Sequence, residues 1–423
     1  MTPFLIFGAL LVVLMMGIPV AFALGILGAS LLAIKGLPLS MVASTLFGGI
    51  NDFVLLAIPL FLLMSNLLLR GGIGRDLFVA MQAWVGHWPG GLGIAALLTC
   101  GVFSAISGSS VTTAATVGTV AIPEMIKRGY SRSLTLGLMA AGGTLGIIIP
   151  PSVPLIVYGA ITEQSIGHLF LAGIGPGLLL IVLFGIYVVI MSAIHGTHQA
   201  IPRANWDERR VATWKAVPTL LLSVTILGGI YAGIVTPTEA SGIGATLAFL
   251  ILIGSNRLSR DVLIGAVTDT VKTTTVIFLI VIGAKIFGQA ITLYQLPARL
   301  AWLFEGYFNT ATLALLLIAV ILIFIGFFLE SMSMLLIMVP VLMPTVTALG
   351  IDPIWFGIFF VLLIEVALIT PPVGLNLFVI QSLDKAPLGV VARGSLPFVA
   401  IMLFTVILLV IFPQIALGIV SFG

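Results

Sequence analysis

Four short polar or proline-rich segments interrupt otherwise apolar stretches of this sequence. They are Ser107-Gly108-Ser109-Ser110, Pro150-Pro151-Ser152, Glu330-Ser331-Met332-Ser333 and Thr370-Pro371-Pro372. Hydroxyl groups and freed main-chain carbonyls can hold a small cation such as Na⁺, and main-chain N–H groups at a helix start favour an anion. The chemistry that these segments indicate is the binding of ions and of a charged small molecule.

Three ionisable residues fall within apolar stretches, where such groups are functional candidates because the membrane interior disfavours charge. Lys285 could pair with a carboxylate of the protein or with an anionic substrate, and the sequence leaves both open. Glu330 lies near the expected ion path, and Glu365 could accept hydrogen bonds from N–H groups that the second proline pair frees. The neutral oxygens favour sodium as the bound ion, and proton binding by either of these acids is the alternative. Glu239, in Thr-Pro-Thr-Glu, has the spacing of a helix-start cap.

The composition excludes an ordinary soluble protein. Of the 423 residues, 60% are hydrophobic and 7% are charged, and the mean hydropathy is +1.30, whereas charged residues make up about 25% of soluble domains. One cysteine, Cys100, and four scattered histidines argue against a disulfide framework or a Cys/His metal site. The net charge of +3 is too small to indicate nucleic-acid binding. We expect an all-α polytopic membrane protein in the lipid bilayer.

The positions of the apolar runs predict the helices that must hold these residues. The runs cover residues 4–16, 20–34, 50–69, 91–126, 133–163, 166–194, 216–233, 238–254, 272–294, 311–347, 353–383 and 395–421. Two runs, 91–126 and 311–347, are too long for one crossing and have polar centres. Each indicates a re-entrant helical hairpin, an inner one and an outer one, because irregular backbone at membrane depth must be buried in protein or line a cavity. The alternative is a pair of short helices joined by an external loop.

Double prolines break two further runs, 133–163 and 353–383, because proline removes a donor and clashes with the preceding turn. The order of hairpin and then broken helix therefore occurs twice, about 220 residues apart, which indicates a duplicated chain. We predict a first repeat at 1–195, a cytoplasmic linker at 196–215 and a second repeat at 216–423.

Basic residues concentrate on the cytoplasmic side of a membrane protein. With the N-terminus outside, nearly all of the 17 Lys and Arg residues, Lys272 included, fall on the cytoplasmic side, whereas Lys35 and Arg299 fall outside and Lys285 in the membrane. This orientation makes the two repeats inverted and predicts that both termini are periplasmic.

Inverted repeats with discontinuous helices are typical of secondary transporters. The small residues Thr113, Ala114, Ala115 and Gly118 could belong to a binding site or could allow close helix packing, and for these four we favour packing. A membrane enzyme would need a nucleophile with a base or a motif such as HExxH, and neither is visible. A purely structural scaffold would have no use for helix breaks that cost stability.

Several motifs together resemble one transporter family over essentially the whole chain. They are Gly233-Ile234-Val235-Thr236-Pro237-Thr238-Glu239-Ala240, Ser107-Gly108-Ser109-Ser110, Ile149-Pro150-Pro151-Ser152 and Ile369-Thr370-Pro371-Pro372-Val373-Gly374-Leu375-Asn376. The combination resembles the large membrane subunit of TRAP (tripartite ATP-independent periplasmic) transporters. The resemblance implies a bacterial inner-membrane location, an elevator mechanism, a small four-helix membrane subunit, and a periplasmic binding protein that delivers a small organic anion.

The resemblance also implies the site residues. Two sodium sites would lie on Ser104, Gly146, Ile149 and Pro150 in the first half, and on Gly326, Ala367, Thr370 and Val373 in the second. Alanine at 367 replaces the glycine of many relatives, which leaves a carbonyl ligand possible. Substrate would lie between the tips, near Ser107, Gly108, Ser109, Ser110, Glu330, Ser331, Pro371, Gly374 and Asn376. The leading hypothesis is sodium-coupled import of an organic acid anion. The rival is a self-sufficient sodium–carboxylate symporter that needs no binding protein.

Overall fold

A computed structural model describes residues 3–38, 40–195, 202–296, 298 and 311–420. Within these ranges the secondary structure is helical, as the sequence predicts. Arg299, expected on the outer side, and 196–201 of the predicted linker lie outside the described residues.

The first half of the described chain contains ten α-helices and one short 3-10 helix. They are α1 (Pro3–Met15), α2 (Val20–Ile34), α3 (Ser40–Ile50), the 3-10 turn Phe53–Leu56, α4 (Ala57–Arg70), α5 (Ile73–Val85), α6 (Gly91–Ser107), α7 (Ser110–Lys127), α8 (Arg132–Ile148), α9 (Val153–Thr162) and α10 (Ile166–His195). The turn between α6 and α7 and the break between α8 and α9 fall where the sequence predicts them.

Nine α-helices are described in the second half. They are α11 (Trp206–Tyr231), α12 (Pro237–Gly254), α13 (Arg260–Leu293), α14 (Ala311–Gly326), α15 (Ser331–Ala348), α16 (Pro353–Leu368), α17 (Leu375–Asp384), α18 (Leu388–Ile411) and α19 (Gln414–Val420). Helix α11 includes 206–215, which the sequence analysis assigned to the linker. The reason is local, because Asn205 and Glu208 form a reciprocal capping box that starts the helix there.

Eight helical segments of the described residues are long and apolar enough to cross a membrane. They are Phe53–Arg70, Arg132–Thr162, Ile166–Ile194, Trp206–Tyr231, Pro237–Gly254, Arg260–Leu293, Ser331–Ala348 and Leu388–Ile411. Four shorter apolar helices, α2, α6, α14 and α16, accompany them. The chain is a polytopic helical membrane protein.

The helices pack in two groups. Helix α13 packs against α2, α3 and α4, and α12 packs against α4, so these helices form what we call the α13 group. Helix α8 packs against α6, α7, α17 and α18, and α16 packs against α9, α14, α15 and α18, so these form the α8 group. The two groups meet where α15 contacts α13 and where α6 and α9 contact α4. Both helix turns and both breaks belong to the α8 group.

Candidate functional site

The turn between α6 and α7, tip 1, is buried in protein. Gly108 adopts a left-handed conformation with φ of 58°, which only glycine adopts without strain. The Ser107 and Thr113 hydroxyls are 2.6 Å apart, and the Ser109 hydroxyl accepts a hydrogen bond from the N–H of Thr112. Side chains of the turn therefore cap α7 internally, and the polar backbone does not need water there.

Tip 1 is in contact with the first helix break. A Cβ placed on Gly108 would lie 2.9 Å from the Pro151 carbonyl oxygen, and a Cβ on Gly146 would lie 2.5 Å from the Ser109 carbonyl oxygen. The break itself begins at Ile149, and Ser152 caps α9 by accepting a hydrogen bond from the N–H of Leu155. Of the residues that the resemblance assigns to the first sodium site, Gly146 lies directly against tip 1, Ile149 and Pro150 are in the break, and the Ser104 hydroxyl donates to the Cys100 carbonyl of its own helix at 2.6 Å.

The turn between α14 and α15, tip 2, is arranged around Glu330. Its carboxylate accepts hydrogen bonds from the N–H groups of Met332 at 3.2 Å and Ser333 at 2.8 Å, and from the Ser333 hydroxyl at 2.9 Å. Glu330 is therefore the N-cap of α15, a role in which an anionic oxygen is favoured by the helix dipole. Its negative charge therefore interacts mainly with the first turn of its own helix, α15.

The second helix break lies between α16 and α17. The hydroxyl of Thr370 donates to the Val366 carbonyl at 2.5 Å, and a Cβ placed on Gly326, at the end of α14, would lie 2.5 Å from Cβ of Ala367. Gly374 has φ of 49° and has no side chain that could cap α17. The N–H groups in the first turn of α17 therefore have no side-chain cap. Tip 2 and the second break are therefore also adjacent.

A cavity of about 370 Å³ lies between the two tips and α13. Its lining includes Gly108, Ser109, Ser110, Val111, Val153, Pro154, Glu330, Ser331, Met332 and Leu375, together with Leu62, Ile147, Lys272, Thr273, Val276, Ile277, Ile280 and Leu368. Residues from the first turns of α7, α9, α15 and α17 are thus all present. Each helix N-terminus carries about half a positive charge, and Glu330 already offsets that of α15. The other three N-termini around the cavity favour an anion.

Only part of the predicted substrate set lines this cavity. Gly108, Ser109, Ser110, Glu330 and Ser331 do. The other four, Ser107, Pro371, Gly374 and Asn376, are not in its lining. Asn376 is fully buried, its Nδ2 donates to the Ala140 carbonyl at 3.4 Å, and its Oδ1 has no described partner.

Glu365 connects the two halves of the α8 group. It is fully buried on α16, and the Ser110 hydroxyl donates to its Oε1 at 2.6 Å, whereas its Oε2 has no hydrogen-bond partner among the described residues. The sequence analysis expected main-chain N–H groups freed by the second proline pair as donors to Glu365, but the donor that the structure describes is the hydroxyl of a tip-1 serine.

Lys285 lies away from the cavity. Its stem packs against α3, with Cδ 3.7 Å from a Cβ placed on Gly49, and no described acidic residue pairs with it within 4.0 Å. Of the two roles that the sequence left open, direct contact with a substrate in this cavity does not fit its position in this structure.

Sequence reasoning missed Lys272 as a residue of the cavity. It was counted only as a cytoplasmic charge because the apolar run was taken to begin there. The N-cap Ser259 is the sequence signal that could have revealed this position. It starts α13 at Arg260, so Lys272 lies about 18 Å along the helix and not at its end. Among the described lining residues it is the one basic side chain.

Comparison with solved structures finds a similar overall fold. The structure resembles the Alcanivorax borkumensis YdaH transporter with a TM-score of 0.63 over 89% of each chain, at 15% sequence identity. At that identity the likeness concerns the fold alone.

Sequence comparison shows the family. The family model described as "Tripartite ATP-independent periplasmic transporter, DctM component" matches residues 7–415. The chain is 39% identical to the C4-dicarboxylate TRAP transporter large permease protein DctM of Pseudomonas aeruginosa, over 89% of this chain and 88% of that protein. It is 36% identical to the sialic acid TRAP transporter large permease protein SiaM of Vibrio cholerae, over 95% and 94%.

This chain belongs to the family of TRAP transporter large permease subunits, as the motifs predicted. With its apolar helices, this membership makes it a multi-pass protein of the bacterial inner membrane. The relatives are transporter permeases and not enzymes.

Proposed function

We propose that this chain imports a small organic anion together with sodium ions, after a periplasmic binding protein delivers the anion. The observation that carries the anion part is the cavity between the tips, where the first turns of α7, α9, α15 and α17 meet. A carboxylate or sulfonate placed there is attracted by the N-termini of α7, α9 and α17, whereas Glu330 already caps that of α15. The relatives' C4-dicarboxylate and sialic acid activities agree with an anionic substrate.

The oxygen atoms at the helix ends are of the kind that binds Na⁺. Helices α6, α8, α14 and α16 end beside the tips and breaks, and the last carbonyls of a helix have no partner within it. The first site would be held by Ser104, Gly146, Ile149 and Pro150, and the second by Gly326, Ala367, Thr370 and Val373. Neutral oxygens at negative helix ends suit a hard monovalent cation. The proposed cofactor is therefore sodium, with a site in each half.

The packing supports an elevator mechanism with inverted repeats. Both tips and both breaks lie in the α8 group, whereas the α13 group lacks such features in its described residues. In each half a helix pair with a polar turn precedes a helix broken at a proline pair. We propose that the α6–α7 and α14–α15 pairs are re-entrant hairpins entering from opposite faces. The α8 group would move as the transport domain along the α13 group.

The proposed partners are a small four-helix membrane subunit and a periplasmic binding protein. Family membership supports both, because the family is named for a tripartite, periplasmic system. The proposed orientation has both termini in the periplasm and rests on the distribution of Lys and Arg.

Uptake into proteoliposomes tests this function. The vesicles would contain this chain with the small subunit encoded beside it, and the neighbouring binding protein would be loaded with labelled succinate, sialic acid or isethionate. We expect accumulation of one of these anions that needs both an inward sodium gradient and the binding protein. A potassium gradient of equal size is the control.

Two other results would contradict parts of the proposal. Uptake with sodium but without a binding protein would favour the self-sufficient sodium–carboxylate symporter. Uptake that is independent of sodium and driven by a proton gradient would contradict the proposed sodium sites. Glu330 and Glu365 would then be the candidate proton carriers.

The hydroxyl of Thr370 provides a direct test of the second sodium site. Thr370→Val removes this oxygen while keeping the size of the side chain, and we expect the sodium concentration for half-maximal uptake to rise about tenfold. The control is Thr292→Val on α13, because the Thr292 hydroxyl also bonds the carbonyl four residues earlier, at 2.8 Å, but lies outside the site. Equal sodium dependence in Thr370→Val and wild type would exclude a hydroxyl ligand there.

A further inference from the structure

Helix α13 forms the side of the cavity opposite the tips, and this side has a positively charged side chain. Residues Lys272, Thr273, Val276, Ile277 and Ile280 line the cavity from one face of that helix. Four of these five side chains carry no charge, so Lys272 supplies the positive charge of this face, and the Thr273 hydroxyl is its other polar group. We propose that the Lys272 ammonium binds the carboxylate or sulfonate group of the substrate from the α13 side. This assignment rests on the proposed function and adds a specific contact to it.

Lys272 is free to make this contact. It is exposed, and it forms no ion pair within 4.0 Å in the part of the chain that the structure describes. Glu330, the one acidic residue in the cavity lining, is committed to the start of α15 by three hydrogen bonds. A lysine that faces a cavity without an anionic partner is suited to a ligand that brings the negative charge.

The turn of α13 that carries Lys272 is fixed to α4. Asp269 pairs with Arg70 at 2.6 Å, and the Thr270 hydroxyl accepts a hydrogen bond from the Asn66 amide at 3.0 Å. Further along α13, Gly283 and Phe287 pack directly on α2. Lys272 therefore belongs to the α13 group, whereas the helix N-termini across the cavity belong to the α8 group.

A substrate held between Lys272 and the tips would connect the two groups. In the proposed elevator such a contact exists in only one position of the transport domain, because the tips move and Lys272 does not. Lys272 would thus stabilise the anion-loaded state with this geometry and would release the anion when the groups separate. A residue that only supported the fold would not distinguish charged from neutral side chains at this position.

Binding to the purified permease complex in detergent with sodium tests the assignment, and the labelled probe is whichever of succinate, sialic acid and isethionate the wild-type complex takes up. Lys272→Met removes the charge and keeps most of the stem, and we expect its Kd for this anion to rise about tenfold, the loss typical of a charge-assisted hydrogen bond. Lys272→Arg should keep the affinity within about threefold of wild type. Lys285→Met, on the same helix but packed on α3, is the matched control and should bind as wild type.

The outcomes separate this assignment from the proposed function. Equal affinity of wild type and Lys272→Met for the transported anion, with sodium-dependent uptake by the wild-type complex intact, would overturn only the Lys272 contact. Equal weakening in Lys272→Met and Lys285→Met would also overturn it, because the effect would then come from α13 as a whole. Weakening in Lys272→Met that Lys272→Arg restores would support it.

Discussion

Gly146→Val is expected to reduce sodium-dependent uptake at least about tenfold, while the protein still inserts in the membrane. A Cβ at this position would lie 2.5 Å from the Ser109 carbonyl oxygen and 2.8 Å from the Thr113 hydroxyl. Since the nearest atom belongs to the backbone of tip 1, the turn must move away from α8. This movement would separate the tip from the break that together form the proposed first sodium site.

Uptake by proteoliposomes, compared at equal amounts of reconstituted protein, measures this effect. The control is Gly242→Val on α12, where an added Cβ meets no atom within 4 Å. Gly146→Ala should show a smaller loss in the same direction. Full uptake by Gly146→Val would show that the close approach of α8 and tip 1 is not required for transport.

Ser110→Ala is expected to lower the free energy of unfolding by about 1–3 kcal/mol, because it removes the described donor to a buried carboxyl group. The Ser110 hydroxyl donates to Glu365 Oε1 at 2.6 Å, and Glu365 is fully buried. This bond joins tip 1 to α16, so its loss should also slow uptake. Thermal unfolding of the purified complex and the initial uptake rate are the two measurements.

A double variant identifies the cause. Glu365→Leu removes the buried polar group that Ser110→Ala leaves without a donor, so the combination should be less destabilised than the sum of the single variants. The control is Thr119→Ala on α7, whose exposed hydroxyl bonds only the carbonyl of its own turn, at 2.7 Å. Additive losses would mean that Ser110 and Glu365 stabilise the protein independently.

The amino-acid sequence alone predicted most of the helices and the places where they are interrupted, but it missed α3 and the early starts of α11 and α13. Proline pairs end α8 and α16 because proline cannot continue the hydrogen-bond pattern, and the capping box of Thr236 and Glu239 starts α12 where the spacing predicts. These signals are local, since each depends on residues within one or two turns. The family could also be predicted, because its motifs are contiguous stretches of sequence.

Only the tertiary structure decided which of these residues share one cavity. Lys272 and Ser110 are far apart in sequence, yet both line the space between the tips, whereas Asn376 was predicted there and is buried outside the lining. Lys285 and Lys272 lie on the same helix, but only one faces the cavity, because the packing of α13 on α2, α3 and α4 fixes its rotation. Such placement depends on contacts between distant segments, which no local pattern specifies.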